Sequence, residues 1–560
     1  MERKSNLGTR TAREVRKRAG RIQKKTESSK SSDVARAVQV SVELGETPER
    51  GKTRPYRHSY LLYTILLAIK FLISGLNSFR GIAKTFEILS IDWADSASKK
   101  SSQKSPNFNT IRQWVLRLGL SELARTKEYR SDWIFILDMT IEIGKTKCLV
   151  ILGIPQEKLA IIIKQEARSL KHQDVEVLSI EILDTTVGTV ILEKLNNLAN
   201  RVGKPIQIVS DRGSDIKKGI DLYVENNPQT IATYDITHKM ANLLKQELSE
   251  DRQFQEFVKE CSLTRQRVQQ TDLCFLSPPT QRAKSRYHNI DILISWAIKI
   301  ISYEETQDFS AIDNTYILDL EAYRILRLSI SANTIKILKR AKPESAENID
   351  KFSQAISNIL TAETWQIDRE KICQAASLGR RKFYEKLGWL FSYRTDIQTY
   401  SEMLALIGSA QTQIKSQGLH ARSPSEWLKS LAQAPSSSGI ITHCVNPRVQ
   451  KIQERIEAYL VDEVKKIPAE LILLGTSDVI ESLFGKYKIF AQRRPIKEIG
   501  ASILLIPLST IEITLDLVRE AMESISFIDV VAWTKSIFGS SMLSRRRNLN
   551  STSNSDTKPA

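Results

Sequence analysis

Cysteine is scarce in this chain of 560 residues: there are five, Cys148, Cys261, Cys274, Cys373 and Cys444. None forms a CxxC pair. An odd, widely scattered set excludes a disulfide framework and a zinc ribbon, and it points to a reducing compartment. The six histidines are equally dispersed and show no HExxH or HxxxH zinc spacing. Long uninterrupted apolar runs are missing too. The basic N-terminus "MERKSNLGTRTAREVRKRAGRIQKK" has no apolar segment of the kind secretion requires. "YLLYTILLAIKFLISGL" is broken by Lys70, and "ASILLIPLSTIEITLDLV" contains Pro507, Glu512 and Asp516, so both read as buried helices rather than membrane spans.

What is present is core and positive charge. Apolar residues make up 41% of the chain, enough for packed cores, and the length suits roughly three or four domains of about 150 residues each. The formal net charge is +18. That excess does not determine a fold, but it favours a polyanionic partner.

The patterning changes along the chain. Residues 1–54, rich in Arg, Lys, Ser and Thr, read as a basic disordered arm. Residues 55–128 read as helical. There, "SPNFNTIRQWVLRLGL" places Ile111, Trp114, Val115 and Leu118 on one face and leaves Arg112 and Arg117 off that stripe. Helix, short helix, loop and basic helix suit a helix-turn-helix-like DNA-binding domain; an ordinary small helical bundle is the other reading. From 129 to 245 the signals are strands and then alternating strands and helices. "WIFILD" and "TKCLVILGI" form a hairpin through Gly144-Lys145, "VEVLSIEIL" alternates, and "GTVILEKLNNLANRV", "PIQIVSD", "DIKKGIDLYVEN" and "QTIATYDIT" follow. This order predicts an α/β fold with a mixed sheet and helices on both faces. Residues 246–469 read as almost entirely helical, 470–540 as further helices, and 541–560 as a disordered polar tail.

Two carboxylates stand out. Asp138 closes "WIFILD" and Asp211 closes "PIQIVSD", both at the ends of buried runs in strands that can be neighbours. Carboxylates held that close repel unless a cation lies between them, and Mg²⁺ suits such hard oxygen ligands. The structural alternatives are a helix cap for Asp211 and a turn for Asp138. Glu142 and Asp215 are rival acids nearby. A third candidate is Glu481 in "GTSDVIESLFGKYKIFAQRRP", with the basic residues Lys486, Lys488, Arg493 and Arg494 following it. Here the alternative is specific: Asp478 as N-cap and Glu481 at N3 make a capping box. His238, at the start of "HKMANLLKQEL", is an accessory candidate whose alternative is a packed or capping histidine.

"FILDMT", "IVSDRGSD", "YDITHKMANLLKQEL" and "SDVIESLFGKYK" together resemble the DDE transposases of bacterial insertion sequences. The resemblance covers roughly 131–245 and 470–500. It implies an RNase H-like mixed β-sheet core flanked by helices, with the first Asp on the first strand, the second after the fourth strand and the Glu on a later helix. Asp138, Asp211 and Glu481 stand in that order. The block 246–469 then reads as a large all-helical insertion and 470–540 as the helices completing the core. The chain departs from the tyrosine-arginine-glutamate-lysine signature of one such group, with Leu474, Ser477 and Tyr487 at the corresponding offsets.

The implied activity is two-metal phosphoryl transfer, with Asp138, Asp211 and Glu481 as ligands of two Mg²⁺ ions, which Mn²⁺ can replace. Water frees a 3′-hydroxyl at the transposon end, and that hydroxyl attacks target DNA. The implied partners are double-stranded DNA, both terminal repeats and target, and a second copy of the chain in a synaptic homodimer, with no membrane. The implied location is the bacterial cytoplasm, at the nucleoid. Lys486, Lys488, Arg493 and Arg494 read either as phosphate contacts or as a solvated basic face. Two other readings of the same residues are an RNase H-like nuclease or resolvase without strand transfer, and an inactive DNA-binding regulator.

Overall fold

The computed structural model describes residues 53–94, 105–141, 147–271, 273–280, 290–306, 383, 385–433, 446–493, 499–540 and 542–552. The arm at 1–52 and residue Arg494 lie outside them. The described residues divide into two compact units. One draws on the chain up to Thr126, on Ile141 and on the chain from Leu483 onward; the other holds Lys127–Thr140 and Lys147–Ser482.

The chain opens with three helices. α1 (Leu62–Ile73) buries Leu62, Ile65, Leu66, Ile69 and Leu72 along one stripe, the spacing that a 3.6-residue period demands. α2 (Phe79–Ala94) starts at Ser78, whose hydroxyl accepts the Gly81 N–H at 3.0 Å. α3 (Phe108–Ala124) starts at Asn107, whose side chain accepts the Asn109 N–H, and it buries Ile111, Trp114, Val115 and Leu118.

A sheet of five strands follows, in the order β3-β2-β1-β4-β5. β1 (Trp133–Ile141) and β2 (Lys147–Pro155) are neighbours, joined by a connection too short for a parallel crossover. β2 pairs antiparallel with β3 (Glu176–Leu183). α4 (Gly188–Val202) then leads to β4 (Gln207–Ser210), which pairs parallel with β1. α5 (Ser214–Asn226) leads to β5 (Ile231–Tyr234), parallel to β4. Trp133, Phe135, Leu137, Leu149 and Ile151 point to one face of the sheet, where Ile191, Leu195 and Leu198 of α4 and Ile216, Ile220 and Tyr223 of α5 cover them. Gly203 ends α4 with φ of 100°. A Cβ there would lie 1.8 Å from the Arg130 carbonyl oxygen, so only glycine fits both the dihedral and the space.

The other side belongs to helices. α6 (Ile236–Ser249), α7 (Arg252–Val268), α8 (Ile290–Thr306), α9 (Arg394–Gln417), α10 (Ser423–Gln433) and α11 (Pro447–Val464) pack round one apolar core. Met240, Phe257, Leu293, Tyr400, Met403, Trp427 and Ile456 lie within it, and Ile206, Ile231 and Tyr234 from the sheet pack against it. The helical segment "YILDLEAYRILRLSIS" lies outside the described residues.

α12 (Asp478–Ala491) runs through the division between the units. α13 (Leu515–Ser524) contributes Val518, Ala521 and Met522 to the core that α1 and α3 share. α14 (Phe527–Phe538) opens with a capping box, Ser526 with Asp529. α15 (Met542–Thr552) corrects the expectation of a disordered tail for those residues, and 553–560 lie outside the described residues. Its Met, Leu and Arg residues are good helix formers even though the segment is polar. Among the described residues, no helix is long and apolar enough to cross a membrane.

Candidate active site

Parallel register is what builds the candidate site. Leu137 of β1 stands opposite Ser210 of β4, and Ser210 stands opposite Tyr234 of β5. The next residue along each strand direction is an aspartate: Asp138, Asp211 and Asp235. Parallel strands lie about 4.8 Å apart, so three acids follow matched positions at the same end of the sheet. The carboxyl ends of parallel strands are where such folds bind ligands.

The three acids differ in what surrounds them. Asp138 does not close a turn, because β1 continues to Ile141. Its Oδ1 accepts the N–H of Met139 at 2.6 Å, and its side chain is half-buried. Asp211 is not the helix cap either: Gly213 holds the N-cap position of α5, and Asp211 Oδ1 accepts the Gly213 N–H at 3.0 Å. The bend after Asp211 places Arg212 at φ of 52°, an uncommon conformation for a residue with a side chain. Of the two rival acids, Glu142 lies outside the described residues. Asp215 accepts the Thr186 hydroxyl at 2.6 Å and pairs with Lys147 at 3.5 Å. Those partners hold its carboxyl below the usual range, the Thr186 bond most of all.

Asp235 is fully buried. It caps α6 by accepting the His238 N–H at 2.9 Å, and it accepts both the N–H of Ser477, at 2.6 Å, and the Ser477 hydroxyl. Other bonds stitch the same segment to the sheet. The buried Gln207 amide bonds both backbone groups of Leu474, at 2.6 and 2.9 Å, across 267 positions of sequence. Ile236 donates its N–H to the Gly475 carbonyl at 2.9 Å. These bonds bring the start of α12 to the ends of β4 and β5. Asp478 is the first residue of α12 and pairs with Lys415 at 2.6 Å. The N-cap place therefore belongs to Ser477, and the capping box drawn from Asp478 and Glu481 is one position out of step.

Glu481 lies one turn further along α12. His238 Nε2 stands 3.7 Å from Glu481 Oε1 and 4.0 Å from Asp211 Oδ2. All three side chains are between a quarter and a third exposed. His238 is thus the shared neighbour of two of the three acids. The cap of its helix is Asp235, not the histidine. Among the described residues, no group of three or more His, Cys, Asp or Glu side chains stands close enough together to hold a metal ion. The donor set itself is one of hard, partly exposed carboxylate oxygens, the kind Mg²⁺ prefers.

The basic candidates separate. Arg112 is exposed on α3. Arg117 is not available to DNA in this arrangement. Its guanidinium donates to the Met522 and Ile525 carbonyls at the end of α13 and meets His58 Nε2 at 3.1 Å, and burial pushes its pKa down. The last carbonyls of a helix attract such a cation. Lys486 is half-buried and Lys488 exposed on α12. Arg493 lies over the Phe490 ring and donates to the Leu76 carbonyl at 2.8 Å.

Asp235 and Gln207, which tie the start of α12 to the strand ends, are not among the candidates singled out from the sequence. The signal for Asp235 was present, since "ATYD" ends a core strand in an aspartate just as "IVSD" does.

No family model matches the chain, and no curated protein sequence does. A solved structure, the Drosophila P element transposase strand transfer complex, is similar at a TM-score of 0.35 and 10% identity, over 88% of this chain and 99% of that one.

Proposed function

We propose that this chain is a DNA transposase with an RNase H-like catalytic core. It cleaves the ends of a mobile element and joins the freed 3′-hydroxyl to target DNA. One observation carries the reading: the register of β1 and β4 sets Asp138 and Asp211 at matched places on neighbouring parallel strands, and His238 contacts both Asp211 and Glu481. First strand, end of the fourth strand and later helix is the placement that the resemblance in the sequence implies.

In this reading Asp138, Asp211 and Glu481 are metal ligands and not covalent nucleophiles. They would hold Mg²⁺, or Mn²⁺ in its place, which when bound would activate the attacking hydroxyl and offset charge on the leaving oxygen. The side chains must rotate inward from their present positions to close such a site. His238, placed between Asp211 and Glu481, positions both carboxylates. Water attacks the phosphodiester at the element's end and the P–O3′ bond breaks; the 3′-hydroxyl so formed attacks a target phosphodiester, whose own P–O3′ bond breaks to leave a target 3′-hydroxyl. Arg112, Lys486 and Lys488 contact phosphates, residues 246–469 are an insertion into the core, and two copies of the chain hold two DNA ends together.

The test is a cleavage and strand-transfer assay on duplex DNA carrying the element's ends. Wild-type protein gives both cleaved and joined products with Mg²⁺. Asp138→Ala, Asp211→Ala and Glu481→Ala each give neither, yet still bind the duplex. Retained Mg²⁺-dependent cleavage by Asp138→Ala removes that residue from the site. Cleavage without any joined product replaces the transposase with a nuclease.

A further inference from the structure

We propose that Lys239, together with Arg212 and Arg455, forms a subsite for one backbone phosphate of the DNA strand that reaches the carboxylates. The proposal rests on the DNA-processing reading above and adds a binding residue to it.

Lys239 follows His238 on α6 and is half-buried. Its ammonium lies 5.7 Å over the Tyr459 ring, and among the described residues it makes no hydrogen bond or ion pair. A lysine taken out of water in this way normally meets a carboxylate. Here cations act on it as well as carboxylates. Burial first, and then Arg455 and Arg212, push its pKa down against the opposing pull of Glu463 and Asp462.

Those two carboxylates are already engaged. Glu463 accepts the Tyr234 N–H at 3.2 Å and lies 3.6 Å from both Arg212 and Lys466. Asp462 pairs with Lys465 at 2.9 Å. Asp235 and Asp211 also lie near Tyr234, and Asp235 is satisfied by Ser477 and the His238 N–H.

Arg212 shares the buried Glu463 carboxylate with Lys466, and Arg455 has a neutral partner. Arg212 lies 5.5 Å over the Tyr234 ring and donates to the Ala232 carbonyl. Arg455 donates to the Gln246 side-chain oxygen. Arg212 and Lys239 thus lie over Tyr234 and Tyr459, which meet edge to face at 6.5 Å, and Arg455 acts on Lys239 from α11. The rings make a low-dielectric floor under them. An anion placed there relieves the mutual repulsion.

Position in the chain says which anion. Arg212 directly follows Asp211, and Lys239 directly follows His238. A group bound by both is carried beside the strand ends, where the scissile phosphodiester lies in the proposed reaction. A neighbouring phosphate of the same strand fits that place.

The experiment is fluorescence anisotropy of a fluorescein-labelled duplex binding full-length protein in EDTA, across about 50–200 mM KCl. Lys239→Gln is expected to weaken binding about 3- to 10-fold and to lower the slope of log affinity against log salt by about 0.9, the share of one phosphate. Lys239→Arg restores most of both. Lys217→Gln, at an exposed lysine paired with Asp221, changes neither. Thermal melts check that each variant is folded.

Unchanged affinity and slope in Lys239→Gln overturn the proposal. So does Lys239-dependent binding of inorganic pyrophosphate with DNA binding unaffected, which makes the site one for a free phosphate compound. If wild-type protein binds no duplex, this proposal and the catalytic reading fall together. If Lys239→Gln behaves as expected but wild-type protein neither cleaves nor joins DNA, the subsite stands and only the catalytic reading falls.

Discussion

The buried carboxylate of Asp235 accepts the backbone N–H of Ser477, 242 positions later in the chain, at 2.6 Å. It also accepts the Ser477 hydroxyl and the His238 N–H. One side chain therefore fixes the helix of His238 and the start of the helix of Glu481 to the same strand end. Hydrogen bonds to a buried charge contribute about 1.5–3 kcal/mol each, and unpaired donors left behind add to the loss. Asp235→Ala should lower unfolding free energy by roughly 3–5 kcal/mol. Asp235→Asn, which keeps one acceptor, should cost less. Urea denaturation measures both. A loss under about 1 kcal/mol in Asp235→Ala shows that the contact does not anchor α12.

The elements of the sheet and its covering helices were largely legible, because their side chains follow local periods. Gly188–Val202 and Ser214–Asn226 are amphipathic at helical spacing, and "PIQIV" is a short apolar run before a charged bend. The strand of Asp138 runs beyond the apolar run "WIFILD". Met139, Thr140 and Ile141 continue it, and the buried Thr140 gave no apolar signal. What was not legible depends on partners remote in sequence. Arg117 reads as an exposed basic residue until Met522 and Ile525 are known to lie against it. Nothing in "PIQIVSD" marks Gln207, whose two bonds go to the backbone groups of Leu474. Asp478 reads as a cap until Lys415 takes its carboxylate.

His58 gives the helical N-terminal part of the chain a pH dependence. Burial, then the adjacent Arg117, lower its pKa, outweighing the Met522 carbonyl and Glu523. A histidine depressed in the folded state binds fewer protons there than when unfolded. Stability is therefore full above the unfolded value near 6.5 and falls as pH drops below it. Thermal melts of wild-type protein should shift downward between about pH 7.5 and pH 5.5. The shift should shrink in His58→Gln, which cannot be protonated. An equal shift in both proteins assigns the pH dependence to other groups.

Gly203 tests the packing of the end of α4 against the segment that leads into β1, the central strand. An alanine there faces both the φ of 100° and a carbonyl oxygen 1.8 Å from its Cβ. Backbone movement must relieve the contact, and the Arg130 N–H to Val202 carbonyl bond of 2.8 Å lies in its path. Gly203→Ala should cost about 2–4 kcal/mol, above the usual cost of a surface substitution. Equilibrium unfolding in urea reads it directly, and a change within about 0.5 kcal/mol counts against the strain.

Metal binding should separate the candidate ligands from ordinary surface acids. Asp138 and Asp211 follow matched positions on neighbouring parallel strands, so their charges repel when no cation is present. Two consequences of opposite sign follow. Without divalent metal, Asp211→Asn should melt at or above the wild-type temperature, because one of the repelling charges is gone. With Mg²⁺ in excess, wild-type protein should gain stability as the bound form is favoured, by about 2.7 kcal/mol at a hundredfold excess over Kd. Asp211→Asn and Asp138→Asn should gain little. Asp221→Asn, at an exposed acid paired with Lys217 on α5, should gain as much as wild type. Calorimetric titration with Mn²⁺ should show the same ranking, with affinity at least about tenfold weaker, or 1.4 kcal/mol, in the two strand-end variants. Equal Mg²⁺ stabilisation in all four proteins would mean that the strand-end aspartates hold no metal. Glu481→Gln then distinguishes a two-ligand site from a three-ligand one: an affinity as weak as that of Asp211→Asn brings α12 into the metal site, and a wild-type affinity leaves only the two aspartates there.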